Sequence, residues 1–531
     1  MKRAALLLAL SLVVAACATM QGRSQDLVSR GLTAVGGADA LARVKTVYVR
    51  GNVKHWEPEQ SMTAGGEMHF VADSIFEAST DVDAQATRID WAKRFQHPAP
   101  RQFTYAEVAT PDAGYVAGVD SNGRTKQSLD AKPPQHTMSG LRLAATQREL
   151  RRTSPLLLLE MSKNADRVSG SEAITVGGVT YPTVAYRPVA NQTLLVMFDP
   201  ATGRPARIRT LDYDNMWGDV TYDLVLADWK AFDGVQVATS QTYELNGRPL
   251  VETKLTHVGM NASFASDALV IPDAFKAGAS KPATGAVPYQ WVIRRQFVGF
   301  YLDSDIPSFD SRASTGLRLV QLAPGVQHVV GGSHHSLMVE MKDYVVVFDA
   351  PVNDWHSIWV LGAAQVKYTR KPVKYLVLTH HHMDHAGGIR AYAANGATLV
   401  VGQGTANHYR KLLAAPYTRN GELPAKDLSA TPIIEVADKY VLADGTREVH
   451  AYGVAGNPHA EGMLIGYVPH ARLGFVTDIW SPGAGPLPDK LNPELASLVA
   501  SVKKYGITPE KFAGGHGASA DYAPLAALEG K

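Results

Sequence analysis

Short apolar runs, many of them alternating with polar residues, dominate the first half of the chain. They begin at Val44, and the clearest cover residues 101–110, 194–198, 219–226, 235–245 and 250–258. Pairs such as Asn122-Gly123, Asp233-Gly234 and Asn246-Gly247 separate the runs at the spacing of hairpin turns. The pattern predicts an antiparallel, β-rich region over residues 24–270, with one helix over 141–162 in which leucines 156–159 are buried.

The segment 197–205, MFDPATGRP, reads as a strand, a tight turn and a returning strand. In this respect the region resembles the curved antiparallel half-barrel of periplasmic lipoprotein carriers and related lipoprotein-associated domains. The resemblance implies either a spacer or docking module, or a holder for an acyl chain or other hydrophobic ligand. The sequence of this region shows no cluster of titratable residues.

The pattern changes after residues 271–290, which are rich in Pro, Gly, Ala and Ser and lack apolar periodicity, as expected of a linker. Beyond it, predicted strands over 317–330, 335–341 and 344–348 precede a helix over 355–367. Another strand over 373–378, a helix over 384–394 and a strand over 397–401 follow. Alternating strands and helices predict an α/β domain over residues 291–531.

The N-terminus has the pattern of an export signal. Lys2 and Arg3 precede the run 4–16, in which only Ser11 is polar, and this run is too short to span a bilayer. Residues 14–17, VAAC, resemble the lipobox of bacterial lipoproteins, which implies a signal peptide over 1–17 and lipidation of Cys17. The alternative is an ordinary signal peptide cut near Ala16.

The lipobox resemblance implies an exported, periplasm-facing protein held on the membrane through Cys17, and Ala18 favours the outer membrane. Cys17 is the only cysteine among 531 residues, so a disulfide within the chain is excluded. The formal net charge is +2, and loss of Lys2 and Arg3 would leave the mature chain near neutral. This balance argues against nucleic acid as a partner. It leaves the oligomeric state open.

Thirteen of the eighteen histidines lie from His328 onward, and four potential ligands occur within six residues after the strand 373–378. Because side chains two apart in an extended backbone point the same way, His380 and His382 can face one ion while His381 faces away. Asp384 and His385 follow where the loop turns toward a helix. Gly387 and Gly388 are predicted to let that turn pass close to whatever is bound.

Three further candidate ligands follow predicted strands in the last part of the chain. His459 comes after the strand 447–454, Asp478 after 472–477 and His516 after 511–514. Imidazole and carboxylate are ligands that zinc takes at about 2 Å. Seven such groups are too many for one tetrahedral ion and suit two ions bridged by a carboxylate and a water.

The H-x-H-x-D-H motif and these strand-end residues resemble the metallo-β-lactamase superfamily over roughly the last 230 residues. The resemblance implies an αβ/βα sandwich, so the predicted fold class is a two-domain α+β and α/β chain with an N-terminal half-barrel. It implies a first ion held by His380, His382 and His459, and a second by Asp384, His385 and His516. Asp478 would bridge the two ions, and Asp384 would also orient a metal-bound hydroxide.

The expected function is a hydrolase with two Zn²⁺ ions, although other divalent metals such as Fe or Mn fit the same ligands. The hydroxide would attack an ester, thioester, lactone, amide or phosphoester of a small-molecule substrate. Aspartate at 478 resembles the thioester, lactone and phosphoester hydrolases of the superfamily more than its zinc β-lactamases. Two alternatives are an iron-dependent oxidoreductase of the same superfamily and a non-enzymatic, lipid-binding envelope scaffold.

Several nearby residues are assigned supporting roles or none. We call residues 379–385 the metal loop. Asp349 is predicted to brace this loop through hydrogen bonds, and His381 is predicted either to support the loop or to lie in the core. His334 and the neighbouring His335 are placed either at the rim of the pocket or in a solvated loop. The stretch 414–429 is expected to cover the cleft.

Overall fold

The computed structural model describes residues 22–97, 100–120, 135–265, 267–282, 316–419, 423 and 426–530. The predicted signal peptide with Cys17, the turn pair Asn122-Gly123 and residues 283–290 of the predicted linker lie outside the described residues. No helix in the described ranges is long and apolar enough to cross a membrane.

The chain folds as two compact units. The first consists of Met1–Glu57, Phe70–Asp212 and Val220–Ser304, and the second of Pro58–His69, Tyr213–Asp219 and Asp305–Lys531. The second unit thus includes two short segments from the first half of the sequence. We call Pro58–His69 the upstream segment.

Fifteen strands are described between Thr46 and Met260. They are β1 (Thr46–Glu57), β2 (His69–Asp81), β3 (Ala86–Phe95), β4 (Arg101–Ala109), β5 (Gly114–Gly118), β6 (Gln135–Thr137), β7 (Val168–Gly170), β8 (Ile174–Val176), β9 (Val179–Tyr181), β10 (Thr183–Tyr186), β11 (Leu194–Phe198), β12 (Pro205–Asp214), β13 (Gly218–Phe232), β14 (Val235–Leu245) and β15 (Arg248–Met260). The helices in this part are α1 (22–34), α2 (Ala38–Ala42), α3 (Gly140–Thr153), α4 (Leu157–Lys163) and α5 (Asp273–Lys276), with a 3₁₀ turn at Ala165–Arg167.

Thirteen of these strands form one sheet in the order β6-β5-β4-β3-β2-β1-β15-β14-β13-β12-β11-β10-β7, and β8 and β9 form a separate pair. The first and last strands, β1 and β15, meet in the middle and run antiparallel, with Val49 opposite Val258. The expected large antiparallel sheet is confirmed. The half-barrel curvature stays a prediction.

The single helix predicted over 141–162 is two helices, α3 and α4. Ser154 has an extended backbone, with φ −65° and ψ 128°, and caps the C-terminus of α3. The residue before a proline avoids the helical region because of the proline ring, so Pro155 ends α3 at this point. Leucines 156–159 are all buried, as expected.

The first unit also contains buried charged side chains, contrary to the absence of a titratable cluster in its sequence. The Arg142 side chain donates to Glu107 and, at 2.5 Å, to Asp120, while Trp91 Nε1 donates to Glu107 at 3.0 Å. Lys93 lies beside this network, with Nζ 4.6 Å from the centre of the Trp91 ring. Alternation along β3 and β4 directs these side chains to one face, although they are far apart in sequence.

The second unit contains thirteen strands in its described part. They are β16 (Arg318–Ala323), β17 (Val326–Val330), β18 (Ser336–Glu340), β19 (Val345–Phe348), β20 (Val373–Val377), β21 (Thr398–Gly402), β22 (Ile433–Val436), β23 (Lys439–Ala443), β24 (Glu448–Gly453), β25 (Leu464–Val468), β26 (Leu473–Val476), β27 (Lys511–Gly514) and β28 (Ser519–Asp521). Its helices are α6 (Asp354–Lys367), α7 (Met383–Ala386), α8 (Ile389–Ala394), α9 (Ala406–Ala414), α10 (Pro493–Lys504) and α11 (Ala523–Ala526), with a 3₁₀ turn at Pro469–Ala471.

Strands β16 to β22 form one sheet in sequence order, and β23 to β28 form a second. The pairs from β19 to β22 are parallel, as is β26 with β27. One apolar core contains residues of both sheets, including Phe348 of β19 and Phe475 of β26, whose rings lie 5.5 Å apart. A second core joins the β23–β28 sheet to α10 and α11. This layering matches the expected sandwich.

Gly466 of β25 shows how closely the core is packed. A Cβ atom at this position would lie 2.5 Å from Cε1 of Phe348. The ring of Phe348 therefore occupies the space that any larger residue would need. This contact fixes the end of β19, immediately before Asp349.

Candidate metal centre

The loops that follow β20, β24, β26 and β27 bring the predicted ligands together. His380 to His382 come directly after β20, and His382 precedes the first residue of α7, which contains Asp384 and His385. Since β19, β20 and β21 are parallel, their carboxyl ends share one edge of the sheet. The sequence therefore places its polar residues where three strands end together.

The first group of candidate ligands is His380, His382, His459 and Asp478. His459 Nε2 lies 3.2 Å from His380 Nε2, and Asp478 Oδ2 lies 3.1 Å from His380 Nε2 and 3.0 Å from His459 Nε2. Separations of about 3 Å suit donors that each lie about 2 Å from a central ion.

His382 supplies the clearest evidence that this group fits a metal. Its Nε2 faces the main-chain carbonyl of Ser61 at 2.9 Å, so Nε2 carries the proton and donates it. Its Nδ1 is buried and has no hydrogen-bond partner among the described residues. A buried nitrogen lone pair without a donor is costly unless an ion occupies the position it faces.

The second group is His334, Asp384, His385 and His516. His334 Nε2 lies 3.0 Å from Asp384 Oδ2, and the rings of His334 and His516 are 4.3 Å apart. His385 Nε2 lies 3.9 Å from the same Asp384 oxygen. Three imidazoles and one carboxylate are again a donor set that suits zinc or a similar divalent ion.

Asp478 contacts members of both groups. Its Oδ1 lies 2.6 Å from His516 Nε2, and its Oδ2 lies 3.2 Å from His385 Nε2 as well as close to His380 and His459. Its backbone has φ 55°, in the left-handed region, which an aspartate tolerates better than most residues. The carboxylate thus lies between the two groups of candidate ligands.

Residues 320–517 match the model of the Metallo-beta-lactamase superfamily. This part of the chain is a domain of the metallo-β-lactamase superfamily. No curated protein matches the sequence.

Similar solved structures include a metallo-beta-lactamase from Pontibacter korlensis. It is 20% identical, the match covers 40% of this chain and 100% of that chain, and the TM-score is 0.30. They also include the sec-alkylsulfatase Pisa1 from Pseudomonas sp., with 15% identity, 41% of each chain covered and a TM-score of 0.31. Members of the superfamily are usually metal-dependent hydrolases.

Asp349 braces the metal loop of the metallo-β-lactamase domain. Its Oδ2 accepts from His385 Nδ1 at 3.0 Å and from Thr379 Oγ1 at 2.9 Å, while its Oδ1 accepts from the Thr379 backbone N–H at 2.7 Å. Because Nδ1 of His385 donates to Asp349, Nε2 is the ring nitrogen that faces the second group. Such partners orient a metal-binding imidazole and select its tautomer.

His381 belongs to neither group. It is buried, and its Nε2 donates to the same Ser61 carbonyl that His382 contacts, also at 2.9 Å. The alternation of side chains along the extended loop thus separates it from His380 and His382. It links the metal loop to the upstream segment.

Gly387 and Gly388 lie where the chain passes very close to neighbouring parts of the same unit. A Cβ atom at Gly387 would collide with the main-chain carbonyl of Val352, and one at Gly388 with Asn353 and Ser357. The two glycines also divide the predicted helix 384–394 into α7 and α8. They let this turn pack against the start of α6.

Burial and neighbouring charges set the protonation of the ligands. Burial, reinforced by His385, lowers the pKa of His380 to about 3, so this imidazole is neutral at pH 7, the form that binds metal. Burial also disfavours the charged form of His385, but Asp478 and Asp349 outweigh it and raise the pKa of His385 well above its usual value. An incoming divalent ion would therefore displace the proton on His385.

Burial alone would raise the pKa of Asp478, but His385 and His516 hold it well below the usual range. Burial likewise opposes ionisation of Asp384, and His334 and His385 overcome it, so the pKa of Asp384 is also low. Both carboxylates are therefore ionised at neutral pH. They supply two negative charges to balance the charges of bound cations.

Sequence reasoning did not identify three residues of the centre. His334, left open between rim and solvated loop, is buried within the second group. The local signal for it is the sequence Gly331-Gly332-Ser333, which follows β17 and precedes His334. Gln60 and Ser61 carry no motif at all, and their place in the centre follows only from the fold.

Tyr417 and Trp480 make contacts within the second unit. Tyr417 donates to Asp354 Oδ2 at 2.6 Å, and Trp480 is buried against Phe512 in the core with α10. Of the stretch 414–429, residues 420–422, 424 and 425 are outside the described part. Thr418 in that stretch is bound to Asp219.

Proposed function

We propose that the protein is a binuclear zinc-dependent hydrolase. The observation that carries this proposal is the position of Asp478, which lies within 3.2 Å of ligand nitrogens in both groups. In the proposed centre, His380, His382, His459 and Asp478 hold one ion. Asp384, His385, His516 and Asp478 hold the other, with His334 available as a further donor.

The chemistry supplied by two bound zinc ions would be a hydroxide at neutral pH and polarisation of the scissile carbonyl or phosphoryl oxygen. The residues of the chain arrange this chemistry. Asp384, with one oxygen held by Gln60 and the other directed at the histidines, is placed to orient the attacking water or hydroxide. Asp349 holds His385 in the required tautomer.

The charge of the centre favours substrates in which negative charge is present or develops. Two divalent ions bring four positive charges, against one negative charge each from Asp384 and Asp478 and a third from hydroxide. One positive charge remains to attract an anionic group or a developing oxyanion. We therefore propose a small-molecule ester, thioester, lactone, amide or phosphoester as substrate.

A substrate panel tests this proposal. Purified full-length protein with two equivalents of zinc is assayed against a chromogenic β-lactam, a lactone, a thioester, a carboxylic ester and a phosphoester. We expect turnover of one class that is abolished by a chelator and restored by zinc. Stoichiometric iron in protein expressed without added zinc, together with oxygen consumption, would instead identify an oxidoreductase and overturn the hydrolase.

We also propose that the protein is an exported lipoprotein held on the outer membrane by lipidated Cys17. The support is the sequence pattern of Lys2, Arg3 and the apolar run that ends in VAAC. Metabolic labelling with a radioactive fatty acid should label the wild type and not a Cys17→Ser variant. Equal labelling of both proteins, or none of either, would contradict lipidation at this residue.

A further inference from the structure

The upstream segment contacts ligands of both groups. Gln60 Nε2 donates to Asp384 Oδ1 at 2.8 Å. The next residue, Ser61, accepts from Nε2 of His382 through its main-chain carbonyl. Two consecutive residues of this segment therefore reach one ligand of each proposed ion.

The upstream segment is also fixed to the surrounding loops of the second unit. The Met383 N–H donates to the carbonyl of Glu59 at 3.3 Å, and the Glu461 N–H donates to the carbonyl of Met62 at 2.8 Å. The carboxylate of Glu59 lies 3.1 Å from His408 Nε2, and both side chains are buried. Contacts on both sides of Gln60 hold its backbone in place, so its amide has a defined direction.

The Gln60 contact decides which oxygen of Asp384 faces the second group. With Oδ1 bound by the amide, Oδ2 is the oxygen that lies 3.0 Å from His334 and faces His385. A carboxylate without this donor can rotate, and rotation would exchange or withdraw the oxygen that an ion needs. An amide is suited to this position because it donates a hydrogen bond without adding charge.

We propose that Gln60 is a positioning residue for the second metal ion, acting through Asp384. The inference rests on the proposed two-metal function and adds to it a residue outside the part of the chain that matches the superfamily. Partners that orient a ligand in this way typically contribute about 10–100-fold in metal affinity. Because Gln60 does not contact His380, His382 or His459 in the described hydrogen bonds, the first ion should be unaffected.

The test uses full-length protein and zinc alone. Metal-free wild type, Gln60→Met and Gln60→Ala are titrated with Zn²⁺ in competition with a chromophoric chelator, which resolves the first and second equivalents. We expect both variants to bind the second equivalent about 10–100-fold more weakly and the first with unchanged affinity. Gln60→Met keeps the length of the side chain and removes only its polar atoms.

Thr63→Val is the control in the same segment. It removes a 3.1 Å hydrogen bond to Glu461, which is not one of the candidate ligands. This variant should bind two equivalents of zinc like the wild type. Equal weakening of both ions in the Gln60 variants would indicate a structural defect and overturn the inference, as would unchanged binding of both.

The same titration separates this inference from the proposed function. If wild-type protein binds fewer than two equivalents of zinc, the two-metal proposal fails and the role of Gln60 fails with it. If the wild type binds two equivalents and the Gln60 variants do the same with equal affinity, only the role of Gln60 is refuted.

Discussion

Replacing Asp349 by asparagine tests the claim that a buried carboxylate sets the tautomer of His385. The wild-type carboxylate accepts three hydrogen bonds and is fully buried. In the variant, the amide oxygen can still accept from the Thr379 N–H, but the amide NH₂ then faces His385 Nδ1. His385 can relieve this conflict only by accepting there, which moves its own proton to Nε2.

A proton on Nε2 blocks the atom that faces the second group. We therefore expect Asp349→Asn to weaken the second equivalent of zinc by about 10–100-fold, which corresponds to about 1.4–2.7 kcal/mol of binding free energy. Loss of hydrogen bonds to a buried charge should also lower the free energy of unfolding of the metal-free protein by about 2–3 kcal/mol. Zinc titration and denaturant unfolding measure the two quantities separately.

Ser336→Ala is the matched control. The Ser336 hydroxyl donates to the main-chain carbonyl of Asp349 at 3.0 Å and leaves the carboxylate untouched. This variant should bind the second ion normally, even if it unfolds somewhat more easily. Wild-type affinity for the second ion in Asp349→Asn would refute the tautomer argument, whatever its stability.

Three further predictions concern the shared ligand, the buried lysine and the packed core. Asp478→Asn should weaken the binding of both ions. The loss of affinity should exceed the roughly 10–100-fold expected for a supporting residue, and metal content after gel filtration measures it. Burial lowers the pKa of Lys93 from 10.5 to about 7. Lys93 binds its proton more tightly in the unfolded state. Its burial should therefore lower the free energy of unfolding by about 5 kcal/mol below pH 7, and this loss should disappear as the pH rises toward 10.5. Lys93→Met should therefore be more stable than the wild type near pH 7, with a smaller difference at pH 9, in denaturant unfolding. Gly466→Ala should lower the free energy of unfolding by about 1–3 kcal/mol, because its Cβ would press on Phe348. A lower Tm measures this loss.

Each of these has an outcome that would contradict it. Retention of one tightly bound ion by Asp478→Asn would show that the carboxylate serves a single site. A constant stability difference between Lys93→Met and wild type across pH 6–9 would show that Lys93 titrates normally. Gly485→Ala, which has open space around its Cβ, is the control for Gly466→Ala, and equal Tm values for the two would refute the packing argument.

The sequence was informative wherever a local rule applied. The two-residue period of an extended chain separates His381 from His380 and His382, and the structure places them accordingly. His459, Asp478 and His516 were identified as candidate ligands because each follows a predicted strand, and the structure brings them into the two groups. Pro155 is also a local signal, and it marks the break between α3 and α4. The prediction of a single helix followed the apolar leucines next to it instead.

Features that depend on distant parts of the chain could not be predicted. Glu107 and Arg142 are on different elements, and only the fold of the sheet brings them to Lys93. Gln60 and Ser61 lie in a hairpin connection with no apolar period and no motif. A single polar residue in a turn usually faces solvent, so nothing in its local sequence distinguishes Gln60 from its neighbours.

The distance along the chain between Gln60 and Asp384 also affects when the metal centre can form. The two residues are 324 positions apart, so a ribosome adding about 5–20 residues per second needs roughly 15–65 s to make the second after the first. Closing so long a loop adds little entropy cost over a shorter one, since that cost grows only with the logarithm of length. The interval before Gln60 and Asp384 can meet therefore has a lower limit set by synthesis of the chain between them, and not by the entropy of closing the loop.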